Sequence, residues 1–193
     1  MNKILYAFAL AGVLGLSSCS DFLDQNSPSE MTAENTYASP YYTNLRINKL
    51  YGGMAQDRTY AQDLSIVWNL NSDCELIDGL GSNATNTSSE RGNMNYNMDP
   101  GWSKISGVWD AEYGIIEDAN QIIEGIRSSA TLTAGGANQK SMERSLGEAL
   151  TIRAMVYFDL VRIFGDIPFK VEASKADLSN AYLEKTDRDV IMD

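Results

Sequence analysis

Apolar positions dominate the stretch from Ser141 to Phe169, SMERSLGEALTIRAMVYFDLVRIFGDIPF. At a helical pitch of about 100° per residue, Arg144, Glu148, Thr151, Met155, Asp159 and Arg162 share one narrow stripe. The rest of the circumference is apolar, from Leu146, Ala149 and Leu150 through Ile152, Val156, Tyr157 and Phe158 to Leu160, Val161, Ile163 and Phe164. A helix with one thin wet edge must be covered on most sides, so the pattern predicts a central core helix with helices packed on both flanks. Gly165 suits the position after a helix and Pro168 prevents resumption. Only Arg153 breaks the apolar side, between Leu146, Leu160 and Phe164. A guanidinium does not deprotonate, so it needs a buried acceptor there.

A second helical pattern precedes this one. Trp102, Ile105, Trp109, Tyr113, Ile116, Ala119, Ile123 and Ile126 recur every three or four positions and with Val108 define one apolar arc, with Asp99 as cap and Pro100 at the first helical position. SSATLTAGGAN is the intervening loop, with Asn138 or Ser141 capping the second helix, and the two helices form an antiparallel hairpin. Glu112 is the one acid projecting near the middle of the first helix's apolar arc. With the loop centred near Thr133, Glu112 falls opposite about residue 154, so a buried ion pair between Glu112 and Arg153 is expected.

Upstream, Tyr41 to Gln56 reads as a helix, with Tyr42, Leu45, Lys49 and Leu50 repeating and Gly52-Gly53 loosening its end. Asp57 to Asp99 is rich in Asn, Ser, Gly and Thr and holds only short apolar groups such as Leu64, Ile66, Val67 and Trp68. A loop of that length is usually functional or disordered. At the start, Lys3 and the apolar run Ile4 to Leu16 form an export leader, and Leu16-Ser17-Ser18-Cys19 matches a bacterial lipobox. The division expected is a leader over 1–18, acylation at Cys19, an acidic tether over 19–40, and a helical domain over 41–193. Several acyl chains together anchor a protein stably without spanning the bilayer.

Composition narrows the chemistry. The 193 residues are enough for one domain with a sizeable core, and the formal charge is −11. That acidity argues against nucleic acid and against docking by charge onto anionic lipid. There is no histidine, which removes Ser-His-Asp, Cys-His and zinc-hydrolase chemistry. Cys74 has no basic neighbour in sequence and reads as an inert thiol. Asp73, Glu75 and Asp78 could offer oxygens to calcium, but EF-hand spacing is absent and a turn is the simpler reading, so no metal or cofactor is expected. A glycosidase acid–base pair could hide among the carboxylates, since such pairs meet only in the fold, although Glu117, Asp118, Glu124, Glu143 and Asp159 read as solvated helix positions.

Sugar rings stack on aromatic planes, and Asp, Asn and Arg bind their hydroxyls. The long polar segment and its edge supply such groups in Trp68, Asp73, Arg91, Tyr96 and Trp102, the candidate glycan contacts. Packing competes for each of them, above all for Trp102, which also lies on the core side of its helix.

GEALTIRAMVYFDLVRIFGDIPF resembles the signature helix of the SusD/RagB family of outer-membrane nutrient-binding lipoproteins, and CSDFLD and WDAEYGIIEDANQII resemble family segments in the same order. Asp57 to Asp99 matches no motif of that family. The resemblance implies a mainly α fold of antiparallel, tetratricopeptide-like helical hairpins, although no tetratricopeptide consensus repeats in this chain. It implies a surface lipoprotein of the outer membrane, where Asp21 and Asp24 beside the lipid resemble acidic export signals. It also implies capture of oligosaccharide, or less often peptide, and delivery to a SusC-like TonB-dependent transporter barrel, with no bond broken. A surface glycosidase and a protein-binding adaptor are the alternatives. In the family a Thr-Arg-like turn opens a further helix; here Lys185-Thr186-Asp187-Arg188 stands at that place and the chain stops five residues later, at Asp193, so it reads as an N-terminal fragment.

Overall fold

The computed structural model of this chain describes residues 31–69, 72, 101–175, 178–179 and 181–193. Within them run helices α1 (Ala33–Ala38), α2 (Pro40–Met54), α3 (Asp63–Asn69), α4 (Ser103–Ser128) and α5 (Gly136–Phe164). A 3-10 turn at Ala130–Thr133 joins α4 to α5. The two-residue strands β1 (Ile167–Pro168) and β2 (Lys185–Thr186) pair antiparallel, Ile167 opposite Thr186, and helix α6 (Arg188–Met192) follows. Ala33 to Asp193 form one compact unit. No helix among the described residues is long and apolar enough to cross a membrane.

The architecture is mainly α, as the periodicity predicts. α4 and α5 form the hairpin, and α2 packs across both. Ile115, Ile116, Ile122, Ile123 and Ile126 of α4 meet Met142, Ala149, Ile152, Val156, Tyr157 and Leu160 of α5 in one apolar cluster, closed by Ile47 and Leu50 of α2. Each fully buried Ile, Leu or Val contributes about 1.5–3 kcal/mol relative to exposure. A smaller cluster of Leu64, Val67, Ile105 and Val108 joins α3 to the start of α4.

Several boundaries differ from the expectation. Helix α1, with Thr36 and Tyr37 buried, occupies residues that fall inside the range expected for the tether. Its last carbonyls are capped from the hairpin loop: Ser129 Oγ donates to the Tyr37 carbonyl (2.6 Å) and Thr131 Oγ1 to that of Ala38 (2.8 Å). Helix α2 starts at Pro40 and presents Thr43, Ile47 and Leu50 to the core, while Tyr42 and Leu45 face outward. Part of the expected long loop is helix α3. Gly135, not Asn138 or Ser141, caps α5; its φ is 81°, and its N–H donates to Gln139 Oε1 (2.9 Å). Helix α4 begins at Ser103, and Asp99 and Pro100 lie outside the described residues. Gly165 ends α5 at φ 72°, a backbone that only glycine adopts without strain. Coverage of α5 is incomplete, since Phe158 of the expected apolar side is exposed along with Met155 of the polar stripe.

Candidate functional site

Two polar assemblies are built against the hairpin's apolar core. The first clamps the segment after β1 against α4 and α5. Tyr113 donates to the Pro168 carbonyl (2.7 Å), and the Tyr157 hydroxyl donates to the Lys170 carbonyl (2.7 Å) while accepting from the Lys170 N–H (2.8 Å). Asn120 Nδ2 donates to the carbonyls of Lys170 (2.9 Å) and Glu172 (3.2 Å). Arg153 Nη1 donates to Asn120 Oδ1 (2.7 Å) and to the Val171 carbonyl (3.1 Å). Glu117 accepts from the N–H and hydroxyl of Ser174 and pairs with Lys170 (3.3 Å). Burial works to raise the Glu117 carboxyl, and the Ser174 N–H with the other donors outweighs it, so its pKa is lowered.

The buried ion pair expected between Glu112 and Arg153 is therefore not formed. Side chains of a helix lean toward its N-terminus, and in an antiparallel hairpin those directions are opposed. Arg153 leans toward the loop and meets Asn120, eight positions beyond Glu112. Glu112 leans away from the loop, toward Asp159 on α5, and the two head groups diverge.

The second assembly surrounds Glu112. It is fully buried, and neither carboxyl oxygen has a hydrogen-bond partner among the described residues. Burial, and secondarily the charge of Asp159, push its pKa up to about 8, so it carries a proton at neutral pH. Asp159, read from the sequence as solvated, is only 3% exposed and accepts a hydrogen bond from the Tyr60 hydroxyl. Burial raises Asp159 too, against the Tyr60 bond and the Arg162 charge, which lower it. A protonated carboxyl near a carboxylate is the composition of an acid–base pair. At 0% and 3% exposure, however, neither group can touch a substrate.

The aromatic candidates lie beside this assembly. Trp68 on α3 and Trp102, which precedes α4, both pack on the cluster of Leu64, Val67, Ile105 and Val108, with Tyr60 against the same cluster. Trp68 Nε1 is buried with no acceptor among the described residues. Lys104 pairs with Asp63 (2.5 Å) and ties α4 to α3. The guanidinium of Arg162 lies over the rings of Trp68 (5.0 Å) and Phe158 (5.3 Å). Thus two of the five glycan candidates, Trp68 and Trp102, come together; Asp73, Arg91 and Tyr96, like Cys19, lie outside the described residues. Sequence reasoning missed Tyr60, Phe158 and Arg162. The spacing of Phe158 and Arg162 on one helix face was a usable signal; nothing in sequence linked Tyr60 to Asp159. Among the described residues no group of three His, Cys, Asp or Glu side chains could hold a metal.

Comparison with known proteins places these features in context. A SusD-like family profile described as "Starch-binding associating with outer membrane" matches residues 21–191. SusD-like protein P2 of Formosa agariphila is 29% identical over 170 residues, 88% of this chain and 31% of that protein. The crystal structure of a SusD homolog from Bacteroides thetaiotaomicron superposes with a TM-score of 0.70 at 22% identity, over 82% of this chain and 29% of that one. A SusD-like carbohydrate binding protein from Bacteroides fragilis gives 0.57 at 19% identity, over 82% of this chain and 30% of that one. At such identities the structural likeness shows the fold. This chain spans about a third of the length of the relatives it matches.

Proposed function

This chain belongs to the SusD-like family of starch-binding proteins associating with the outer membrane, and from that premise we propose that it captures oligosaccharide at the cell surface. In this reading it hands the glycan to a SusC-like TonB-dependent transporter barrel and breaks no bond. The family match over residues 21–191 carries the reading. The lipobox at Cys19 supports a lipid anchor, and Trp68 with Trp102, which flank in sequence the polar segment that holds Asp73, Arg91 and Tyr96, supports a glycan-contacting edge.

Retention of the complete protein on immobilised glycans tests it. Alanine at Trp68, Asp73, Arg91, Tyr96 and Trp102 together is expected to abolish retention while thermal unfolding stays cooperative. Full retention by the fivefold variant would remove these residues from the site. Turnover of a labelled glycan would replace capture by hydrolysis.

A further inference from the structure

Helix α5 exposes two apolar side chains one turn apart, Met155 and Phe158, each 43% accessible. Four positions after Phe158, Arg162 stacks over the Phe158 ring and, from the other element, over Trp68 of α3. Stacking fixes the plane of a guanidinium and leaves its N–H edge to make hydrogen bonds. Among the described residues no carboxylate lies within ion-pairing distance of that edge. Asp63 is taken by Lys104, Asp118 by Lys49, and the buried Asp159 by the Tyr60 hydroxyl. Among the described residues the charge of Arg162 reaches only the buried Asp159, whose carboxyl it lowers without an ion-pair contact, so its exposed N–H edge remains open to a ligand there.

We infer that Phe158, Arg162 and Trp68 form a subsite for a uronic-acid unit of a glycan. The planar fork of Arg162 takes the sugar carboxylate through paired N–H bonds, and the exposed Phe158 ring covers the adjoining C–H face of the pyranose. A neutral sugar leaves the fork without its anionic partner. An acidic peptide offers the same carboxylate on a flexible stem, with no rigid C–H face for Phe158; that difference favours the sugar. The inference rests on the glycan-capture reading and specifies one ligand class for it.

Calorimetric titration of the complete protein with tetragalacturonate, maltotetraose and tetraglutamate tests it. Tetragalacturonate is expected to bind most tightly, with affinity falling as salt rises. Arg162→Gln should cut the preference for tetragalacturonate over maltotetraose by about tenfold, and Arg162→Lys should restore only part of it, because an ammonium lacks the planar fork. An unchanged preference in Arg162→Gln overturns the inference, as does tetraglutamate binding as tightly as tetragalacturonate. Binding of maltotetraose alone overturns the uronate subsite and leaves glycan capture standing, whereas binding of no glycan overturns both.

Discussion

Arg153 of α5 donates a 2.7 Å hydrogen bond to Asn120 Oδ1 of α4, and through it the hairpin holds the carbonyls of the segment that follows β1. The arginine expected to meet an acid meets an amide. That amide is itself spent on both sides, its Nδ2 donating to Lys170 and Glu172 carbonyls.

Asn120→Ala should therefore destabilise the protein by about 2–3 kcal/mol, since it leaves the guanidinium and two carbonyls short of partners. In a double-mutant cycle, Asn120→Ala and Arg153→Met should couple by about 1 kcal/mol, whereas Glu112→Gln and Arg153→Met should add independently. Chemical denaturation of the four variants of each cycle measures this. Coupling between residues 112 and 153 would revive the ion pair.

Glu112 makes stability fall with rising pH. Its folded pKa, about 8, stands above the ordinary value of 4.5, so the unfolded chain releases this proton first. The sign is that of an acid raised on folding: its contribution is intact below pH 4.5, is lost progressively from there to about 8, and then levels off. The loss is on the order of a few kcal/mol. Glu112→Gln removes the titration, so the gap between variant and wild type should narrow or reverse in favour of the variant from pH 5 to pH 9. A constant difference in melting temperature across that range would refute it.

Gly125 and Gly114 of α4 should respond oppositely to alanine. A Cβ at Gly125 would stand 2.1 Å from the ring of buried Tyr37, while one at Gly114 meets nothing within 4 Å. Gly125→Ala is expected to cost about 1–3 kcal/mol despite its better helix propensity, because α1 must shift. Gly114→Ala should stabilise by about 0.5–1 kcal/mol. Equal effects at the two sites in thermal melts would mean that α1 does not dock through Tyr37.

Cys19→Ala should release the protein from the membrane fraction if Leu16-Ser17-Ser18-Cys19 is processed as a lipobox. Mass spectrometry of the N-terminal peptide and phase partition check it together. Unchanged partition with no acyl mass would remove the anchor.

The apolar arcs of α4 and α5, the glycine that ends α5 and the isolation of Glu112 and Arg153 on apolar faces were all legible in the sequence, because each depends on residues within a few turns. The repeat read along α2 marked a helix without deciding which face it buries. Its tyrosines and Leu45 are apolar enough to look like a core stripe, yet the smaller Thr43 lies on the buried side with Ile47 and Leu50, its hydroxyl donating to the Thr36 carbonyl of α1 (3.3 Å). Periodicity identifies a helix more securely than the face it buries when both faces carry apolar residues.

Which polar heads meet was settled only by tertiary structure. Tyr60 and Asp159 are 99 positions apart, and no local pattern joins them. Glu112 and Arg153 were correctly singled out and wrongly paired, because opposed Cα positions do not bring head groups together when side chains on antiparallel helices lean in opposite directions. The sequence by itself determined the helical class and the hairpin, since these follow from apolar spacing along the chain, and it carried the family through the resemblance of its signature segments. The docking of α3 against α4 and the placement of Arg162 between Trp68 and Phe158 came from packing, in which distant side chains are brought together by the volume they fill.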